Sequence, residues 1–154
     1  MHAADWPAVA RIYEQGLGAG TFEESVPSWE DWDAAHLDAG RLVARDGDGV
    51  VGWAALALVS RRSCYAGVVE DSVYVAPGAR GRGVGRRLLE ELCRRADEAG
   101  LWTIQAVTFA DNAVSIALHE ACGFRVVGRR ERIARKNGAW RDTVLLDRRS
   151  AVVS

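Results

Sequence analysis

A glycine-rich turn between a β-strand and an α-helix is the sequence feature that most restricts how this chain can fold. Residues 73–75 are Val-Tyr-Val, which favours a strand, and Pro77 ends the strand because proline cannot donate a hydrogen bond to a sheet. The glycines of the turn are Gly78, Gly81, Gly83 and Gly85. Apolar residues then recur at helical spacing, at Leu88, Leu89, Leu92, Cys93 and Ala96. The pattern predicts a strand that ends near Ala76 and an amphipathic helix that Gly100 terminates.

This turn is suited to binding a phosphate or pyrophosphate. The first backbone N–H groups of a helix have no helical partner, and the helix dipole is positive at that end. Nearby positive charge comes from Arg80, Arg82, Arg86 and Arg87. A dinucleotide-binding fingerprint is excluded because its third glycine is absent, and a Walker loop is excluded because the turn contains no lysine. The alternative interpretation is an arginine-rich helix start that binds nothing.

Length and composition indicate one ordinary globular domain. The 154 residues are enough for a single core, and we expect a domain over residues 1–150 with a short tail at 151–154. The net charge of −1 and the lack of a long apolar run favour neither nucleic acid nor membrane as a partner. The three cysteines form no Cys-x-x-Cys pair, so we expect no metal site or disulfide framework and a reducing, cytoplasmic location.

The remaining sequence predicts further helices and strands around the turn. Helices are predicted over residues 6–15, 29–39 and 113–122, capped by Asp5, by Ser28 and by the pair Asp111-Asn112, and Val114 is placed on the apolar face of the last one. Strands are predicted over residues 41–46, 50–59, 65–75, 101–109, 124–132 and 140–148. The strand at 101–109 should return parallel to the strand at 65–75, as in a β-α-β unit.

The order of elements, with Arg80-x-x-Gly83-x-Gly85 after a Val-x-Val-x-Pro strand, resembles the GNAT (GCN5-related) N-acetyltransferases. Short motifs are similar to those of the phosphinothricin (methionine sulfoximine) N-acetyltransferase subfamily: Thr21-Phe22-Glu23, Glu70-x-x-Val73-Tyr74-Val75, Leu118-His119-Glu120 and Gly138-x-Trp140-x-Asp142. This chain differs from the family pattern at two positions near the expected acceptor pocket. Val59 stands where family members commonly have an aromatic residue, and Asn137 stands where they often have a histidine. Family members usually have a strand before the first helix, where only residues 1–4 stand here, so either that strand is lost or the protein starts upstream.

The resemblance implies an α+β (mixed α/β) GNAT fold, with a central mixed, mostly antiparallel sheet, a splayed parallel strand pair and about four flanking helices. It also implies acetyl-CoA in the cleft between the splayed strands. The pantetheine would pair with the backbone of Val73, Tyr74 and Val75. The pyrophosphate would bind backbone N–H groups of Gly81, Arg82, Gly83, Val84, Gly85 and Arg86, with no side chain at Gly83 or Gly85 to block it. Asn112 and His119 would approach the same ligand from the neighbouring helix.

Two residues are candidates for catalysis of direct acetyl transfer to an amine. An amino-acid amine is mostly protonated at neutral pH, so a base is needed, and Glu70 matches the family's glutamate. We expect it to act through water, with a pKa raised by partial burial. His119 would either contact the cofactor or protonate the leaving thiolate; a satisfied core histidine is the alternative. The neighbouring Asp71 is predicted to be a solvated strand residue.

Candidate acceptor contacts are Phe22, Arg62 and Tyr65. Arg62 would pair with a carboxylate or phosphinate of the substrate, unless it is only a solvated loop residue. Arginines near the end of the chain are interpreted as a solvated hairpin, not as a nucleic-acid surface. The predicted activity is therefore N-acetylation of a small amino-acid-like amine, with a homodimer implied by the resemblance. The alternatives are acetylation of a peptide N-terminus or amino-sugar, and an acyl-CoA-binding module without turnover.

Overall fold

The computed structural model describes residues 1–18 and 21–154, which form one six-stranded sheet with helices on both faces. The helices are α1 (Trp6–Gly16), α2 (Trp29–Ala35), α3 (Val84–Glu98) and α4 (Ala113–Ala121). The strands are β1 (Leu42–Asp46), β2 (Gly49–Leu58), β3 (Val68–Val75), β4 (Thr103–Phe109), β5 (Arg125–Lys136) and β6 (Ala139–Arg149), in the spatial order β1-β2-β3-β4-β6-β5. No helix within the described ranges has both the length and the apolar character needed to cross a bilayer.

The parallel pair of strands, β3 and β4, separates after a short paired segment. Val68, Val69 and Glu70 pair with residues 103–105, and all other neighbouring strands run antiparallel. Beyond Glu70, β3 continues to Val75 and β4 continues to Phe109 without a further pairing between them. The predicted mixed sheet with a splayed parallel pair is confirmed, and the opening between these strands is called the cleft.

Two apolar cores lie on opposite faces of the sheet, as the alternation of side chains along β2 requires. Ala54 and Leu56 face the core that α3 fills with Leu88, Leu89, Leu92, Cys93 and Ala96. Trp53 and Ala55 face the second core, which contains Val9, Ile12, Tyr13 and Trp32 from α1 and α2. The predicted apolar face of α3 is therefore buried as expected, and Gly100 follows it with a φ of 75°.

Several predicted boundaries were wrong because contacts distant in sequence decide them. Helix α2 stops at Ala35, short of the predicted residue 39, because the Leu37 N–H donates to the carbonyl of Leu56 in β2 at 2.8 Å. Strand β3 begins at Val68, after residues 63–65 have formed a single 3₁₀ turn. Asp5 does not cap α1 through its side chain; it is buried and forms an ion pair with Arg45.

Replacing Leu92 with alanine is expected to lower the free energy of unfolding by about 2–5 kcal/mol, because Leu92 is fully buried in the α3 core and the cavity would not collapse completely. Chemical denaturation would measure the change. Val114 is the matched control: it was predicted on an apolar face, but the structure leaves it 81% exposed, so Val114→Ala should change stability by less than about 0.5 kcal/mol. Equal losses from both substitutions would contradict this account of the core.

Candidate active site

The cleft begins at Glu70, the last residue of β3 that pairs with β4. Side chains alternate across the sheet beyond this point. Tyr74 packs with the aromatic core of α1 and α2, and Val73 packs with the core of α3, so Glu70 lies on the α1–α2 face and Asp71 lies on the α3–α4 face. The two neighbouring carboxylates of β3 therefore lie on opposite faces of the sheet.

The glycine-rich turn leads from the end of β3 into α3. Gly81 and Gly83 have φ angles of 73° and 77°, which side-chain-bearing residues rarely adopt, and a Cβ at either position would meet no protein atom within 4 Å. Gly83 is the N-cap of α3, so the first-turn N–H groups of Val84, Gly85 and Arg86 have no helical partner. This open, donor-rich helix start fits a pyrophosphate.

Gly85 has a structural reason in addition to the one predicted. A Cβ on Gly85 would stand 3.3 Å from Leu118 of α4, so this glycine permits the close approach of α3 and α4. Asn112 is likewise engaged within the protein, because its side-chain oxygen accepts a hydrogen bond from the Ser115 N–H at 3.1 Å and caps α4. Its role as N-cap is confirmed.

The arginines around the turn are exposed, and two of them are paired with acidic neighbours. Arg82 lies 2.9 Å from Asp46, and Arg86 lies 2.7 Å from Glu90 on the next turn of α3. Solvent-exposed pairs of this kind contribute little to stability, about 0–1 kcal/mol, so both guanidiniums can turn to an anion at small cost. The turn thus combines backbone donors with mobile positive charge.

Glu70 has the raised pKa that a proton acceptor for an amine requires. Its side chain is exposed to solvent, but protein atoms partly desolvate the carboxyl group, which raises its pKa, and the negative charge of Asp71 raises it further. Arg130 of β5 opposes this rise through its positive charge. Sequence reasoning missed Arg130, because the arginines of this hairpin were all interpreted as solvated; only the strand register brings it toward β3.

Asp71 and His119 form a buried pair on the other face of β3. The prediction that Asp71 is solvated was wrong: its side chain is 3% exposed and its carboxylate lies 3.0 Å from His119 Nε2. His119 Nδ1 donates to the Ser115 carbonyl at 2.7 Å. Burial alone would lower the pKa of His119, but the hydrogen bond and charge of Asp71 outweigh it, so the pKa is raised. Both ring nitrogens face acceptor oxygens, an arrangement that favours the imidazolium form.

This ion pair predicts how stability depends on pH. Because the folded-state pKa of His119 is raised above its ordinary value of 6.5, its contribution is complete below about pH 6.5 and is lost as the pH rises through the folded-state pKa. Burial raises the pKa of Cys93 to about 12 and also raises that of Cys122, so these thiols lower stability only as the pH nears the ordinary thiol value of 9.0, where the unfolded chain ionises them. Unfolding free energies measured from pH 6 to 7.5, below that range, should fall in the wild type by at most about 1.4 kcal/mol per pH unit for the His119 proton.

The control for this prediction is His119→Gln, which should flatten that slope whatever its effect on absolute stability. His36→Gln is a contrast of opposite sign, because burial lowers the pKa of His36 and its contribution is lost toward acidic pH. A wild-type slope above pH 6.5 that His119→Gln leaves unchanged would contradict the assignment.

The predicted acceptor residues fall into two separate groups. Phe22 is 38% exposed and packs on Phe109, the last residue of β4, with ring centroids 4.4 Å apart. Phe109 lies on the same sheet face as Glu70, because Glu70 pairs with Gln105 and side chains alternate along β4. Arg62 and Tyr65 are exposed on the segment between β2 and β3. Within the described ranges, no group of three His, Cys, Asp or Glu side chains is arranged to hold a metal ion.

Known proteins resemble this chain over most of its length. The model of the acetyltransferase (GNAT) family matches residues 6–124. The phosphinothricin N-acetyltransferase of Alcaligenes faecalis is 41% identical, over 94% of this chain and 77% of that protein. An L-methionine sulfoximine/L-methionine sulfone acetyltransferase of Pseudomonas paraeruginosa is 34% identical, over 93% and 88%. The crystal structure of a Sinorhizobium meliloti phosphinothricin acetyltransferase in complex with AcCoA matches with a TM-score of 0.87 and 34% identity, over 97% and 85%.

Proposed function

Because this chain belongs to the acetyltransferase (GNAT) family and is an acetyl-CoA-dependent N-acetyltransferase, we propose that its acceptor is the amine of a small amino-acid-like molecule of the phosphinothricin, methionine sulfoximine or methionine sulfone type. The observation that carries the proposal is the position of Glu70. This partly desolvated carboxylate stands where β3 and β4 separate, on the sheet face that also holds Phe22 and Phe109.

Glu70 is the proposed proton acceptor. The α-ammonium group of an amino-acid-like molecule is mostly protonated at neutral pH, so it must lose a proton before its nitrogen can attack a carbonyl carbon. A carboxylate with a raised pKa accepts that proton more readily than an ordinary one, directly or through a water molecule. The positive charge of Arg130 opposes the rise in the Glu70 pKa and so favours the ionised form that can accept a proton.

The cofactor would be held mainly by backbone groups. Acetyl-CoA supplies an acetyl group activated as a thioester. Among residues 1–18 and 21–154, β3 has no strand partner on its cleft side beyond Glu70, so the backbone of Val73, Tyr74 and Val75 is available to pair with an extended pantetheine. The N–H groups of residues 81–86 would bind the pyrophosphate. None of these contacts depends on a particular side chain.

We propose a positioning role for His119 in place of acid catalysis. Its two nitrogens are occupied by Asp71 and the Ser115 carbonyl, so neither is directed at a leaving thiolate. Asp71 is the first residue of β3 beyond the paired segment, and His119 belongs to the helix that follows β4. The ion pair therefore connects the two sides of the cleft and would fix its width.

Release of free thiol from acetyl-CoA, measured over a panel of amines, tests the proposed function. Phosphinothricin, methionine sulfoximine and methionine sulfone should be acetylated at least about tenfold more efficiently than a peptide N-terminus or glucosamine, because a site built for a small charged acceptor rejects amines that leave its polar groups unpaired. Preference for the peptide or the sugar would contradict the proposed acceptor class and assign the enzyme to the preferred kind of amine instead. Acetyl-CoA binding with no thiol release from any amine would instead indicate a binding module.

We also propose a homodimer located in the cytoplasm. Strand β5 is a sheet edge, and the β5–β6 hairpin exposes four large apolar side chains, Val126, Val127, Ile133 and Trp140. The free thiols of Cys64, Cys93 and Cys122 support a reducing compartment. Light scattering should give twice the 16.7 kDa chain mass for the wild type and the single chain mass for Ile133→Glu. A wild-type monomer would overturn the dimer.

A further inference from the structure

We propose that Lys136 is a positioning residue for acceptor binding: its ammonium group holds the acceptor loop, defined as Leu17 together with residues 21–23, so that Phe22 is fixed against β4 on the Glu70 side of the cleft. The inference rests on the proposed function in one respect, namely that Phe22 contacts the acceptor.

In the part of the chain that the structure describes, the hydrogen bonds of the Lys136 ammonium group all go to backbone carbonyls of this loop. Nζ donates to the carbonyl oxygens of Leu17 at 2.9 Å, of Thr21, and of Glu23 at 3.5 Å. A lysine ammonium has three N–H donors, so these carbonyls use its full capacity. Leu17 is also the C-cap of α1, where the negative end of the helix dipole favours a cation. Lys136 thus joins the end of α1 to the far side of the loop.

The same loop is fixed from two other directions. The Tyr74 hydroxyl donates to Thr21 Oγ1 at 2.6 Å, which ties the loop to β3. Phe22 packs on Phe109 of β4, and the Lys136 ammonium lies 5.9 Å from the centre of the Phe109 ring, a favourable position for a cation above an aromatic face. Contacts from β3, β4 and the β5–β6 hairpin therefore converge on the residues around Phe22.

The choice of lysine at this position is itself informative. Lys136 is the only lysine among the 20 basic residues of the chain, and every other one is arginine. Carbonyls that approach from three directions suit a compact, rotatable ammonium group, whereas the planar fork of arginine suits paired oxygens in one plane. Lys136 stands directly before the Asn137–Gly138 turn, whose residues have φ angles of 51° and 79°. Its ammonium group therefore lies at the tip of the hairpin.

Steady-state kinetics of Lys136→Met test the role. We expect the KM for the preferred amine to rise at least about tenfold, because the loop loses charge-assisted hydrogen bonds, while the KM for acetyl-CoA stays within about twofold. Lys136→Arg, which keeps the charge, should raise the amine KM to a similar degree. Arg125→Met removes an exposed charge from the same strand and should leave both constants unchanged. An amine KM that Lys136→Met does not change would overturn the inference.

A second measurement does not depend on turnover and separates this inference from the proposed function. A glutamate-specific protease can cut after Glu23 or Glu24, and cutting there should be at least about tenfold faster in Lys136→Met and Tyr74→Phe than in the wild type or Arg125→Met. If no amine is acetylated by the wild type but cutting accelerates as stated, the proposed acceptor class fails and the loop contact stands. Equal cutting rates in all four proteins would overturn the role of Lys136.

Discussion

Glu70→Gln is expected to lower kcat by about 10²–10⁴-fold at neutral pH, the usual contribution of a positioned general base. Glutamine keeps the shape of the side chain but accepts no proton at the relevant pH, so the amine would have to lose its proton to solvent. The KM for acetyl-CoA should change by less than about twofold, because the cofactor contacts proposed here use the backbone of β3 and the glycine-rich turn. Measurement of thiol release at a series of pH values gives both kcat and the KM for acetyl-CoA.

The pH profile gives the more specific result. In the wild type, kcat should fall on the acidic side as Glu70 is protonated, at a pH above the ordinary carboxyl range because desolvation raises its pKa. Glu70→Gln should lack that acidic limb and gain rate toward alkaline pH, where more of the amine is already neutral. Glu120→Gln, at an exposed position of α4, is the matched control and should keep the wild-type profile. Full turnover by Glu70→Gln at every pH would remove Glu70 from the mechanism.

Gly83→Asp is expected to weaken acetyl-CoA binding by about 100-fold. Gly83 has a φ of 77°, where a residue with a Cβ is strained by about 1–2 kcal/mol. Aspartate would also set a negative charge beside the pyrophosphate, at the helix end whose dipole favours anions. The charge acts directly against the bound state, and the strain adds to the loss to the extent that the free turn relaxes away from the conformation that binds; about 2.7 kcal/mol corresponds to two orders of magnitude in affinity. Isothermal titration with acetyl-CoA would measure the loss.

Two further glycine variants separate these causes. Gly83→Ala adds backbone strain without charge, so we expect a loss of about tenfold or less. Gly128→Asp adds the same charge in β5, where a Cβ meets no atom within 4 Å, and should bind acetyl-CoA as the wild type does. If Gly83→Asp bound acetyl-CoA with unchanged affinity, the pyrophosphate would have to lie elsewhere.

The parts of the fold that sequence reasoning predicted well are those that local chemistry determines. The end of β3 at Val75, the glycine turn and the buried face of α3 depend on residues within one continuous stretch, whose spacing is visible in the sequence. The Asn137–Gly138 turn is similar, since both residues adopt the positive φ angles that this dipeptide favours. The splayed strand pair was expected only through the family resemblance, and the structure confirms it.

The parts that were missed depend on residues far apart in the chain. The pairing of Asp71 with His119 joins positions 48 residues apart, and no local pattern distinguishes such an aspartate from a solvated one. The contacts of Lys136 with the acceptor loop span more than 110 residues. Val114 was placed on the buried face of α4 because periodicity gives the spacing of apolar residues but not whether a partner covers them. Tertiary contacts decide these cases.

The short pairing of β3 with β4 has a thermodynamic consequence. Strands β1, β2 and β3 form one half of the sheet, and β4, β6 and β5 form the other. Among the described residues, the two halves are joined only by the pairs Val68–Thr103, Val69–Ile104 and Glu70–Gln105. The backbone of β3 beyond Glu70 is therefore unpaired on that side unless a ligand binds there. A pantetheine chain that forms hydrogen bonds with the free edge of β3 would supply the missing pairing. Acetyl-CoA would then be a structural component as well as a reactant, and the melting temperature should climb with the logarithm of its concentration.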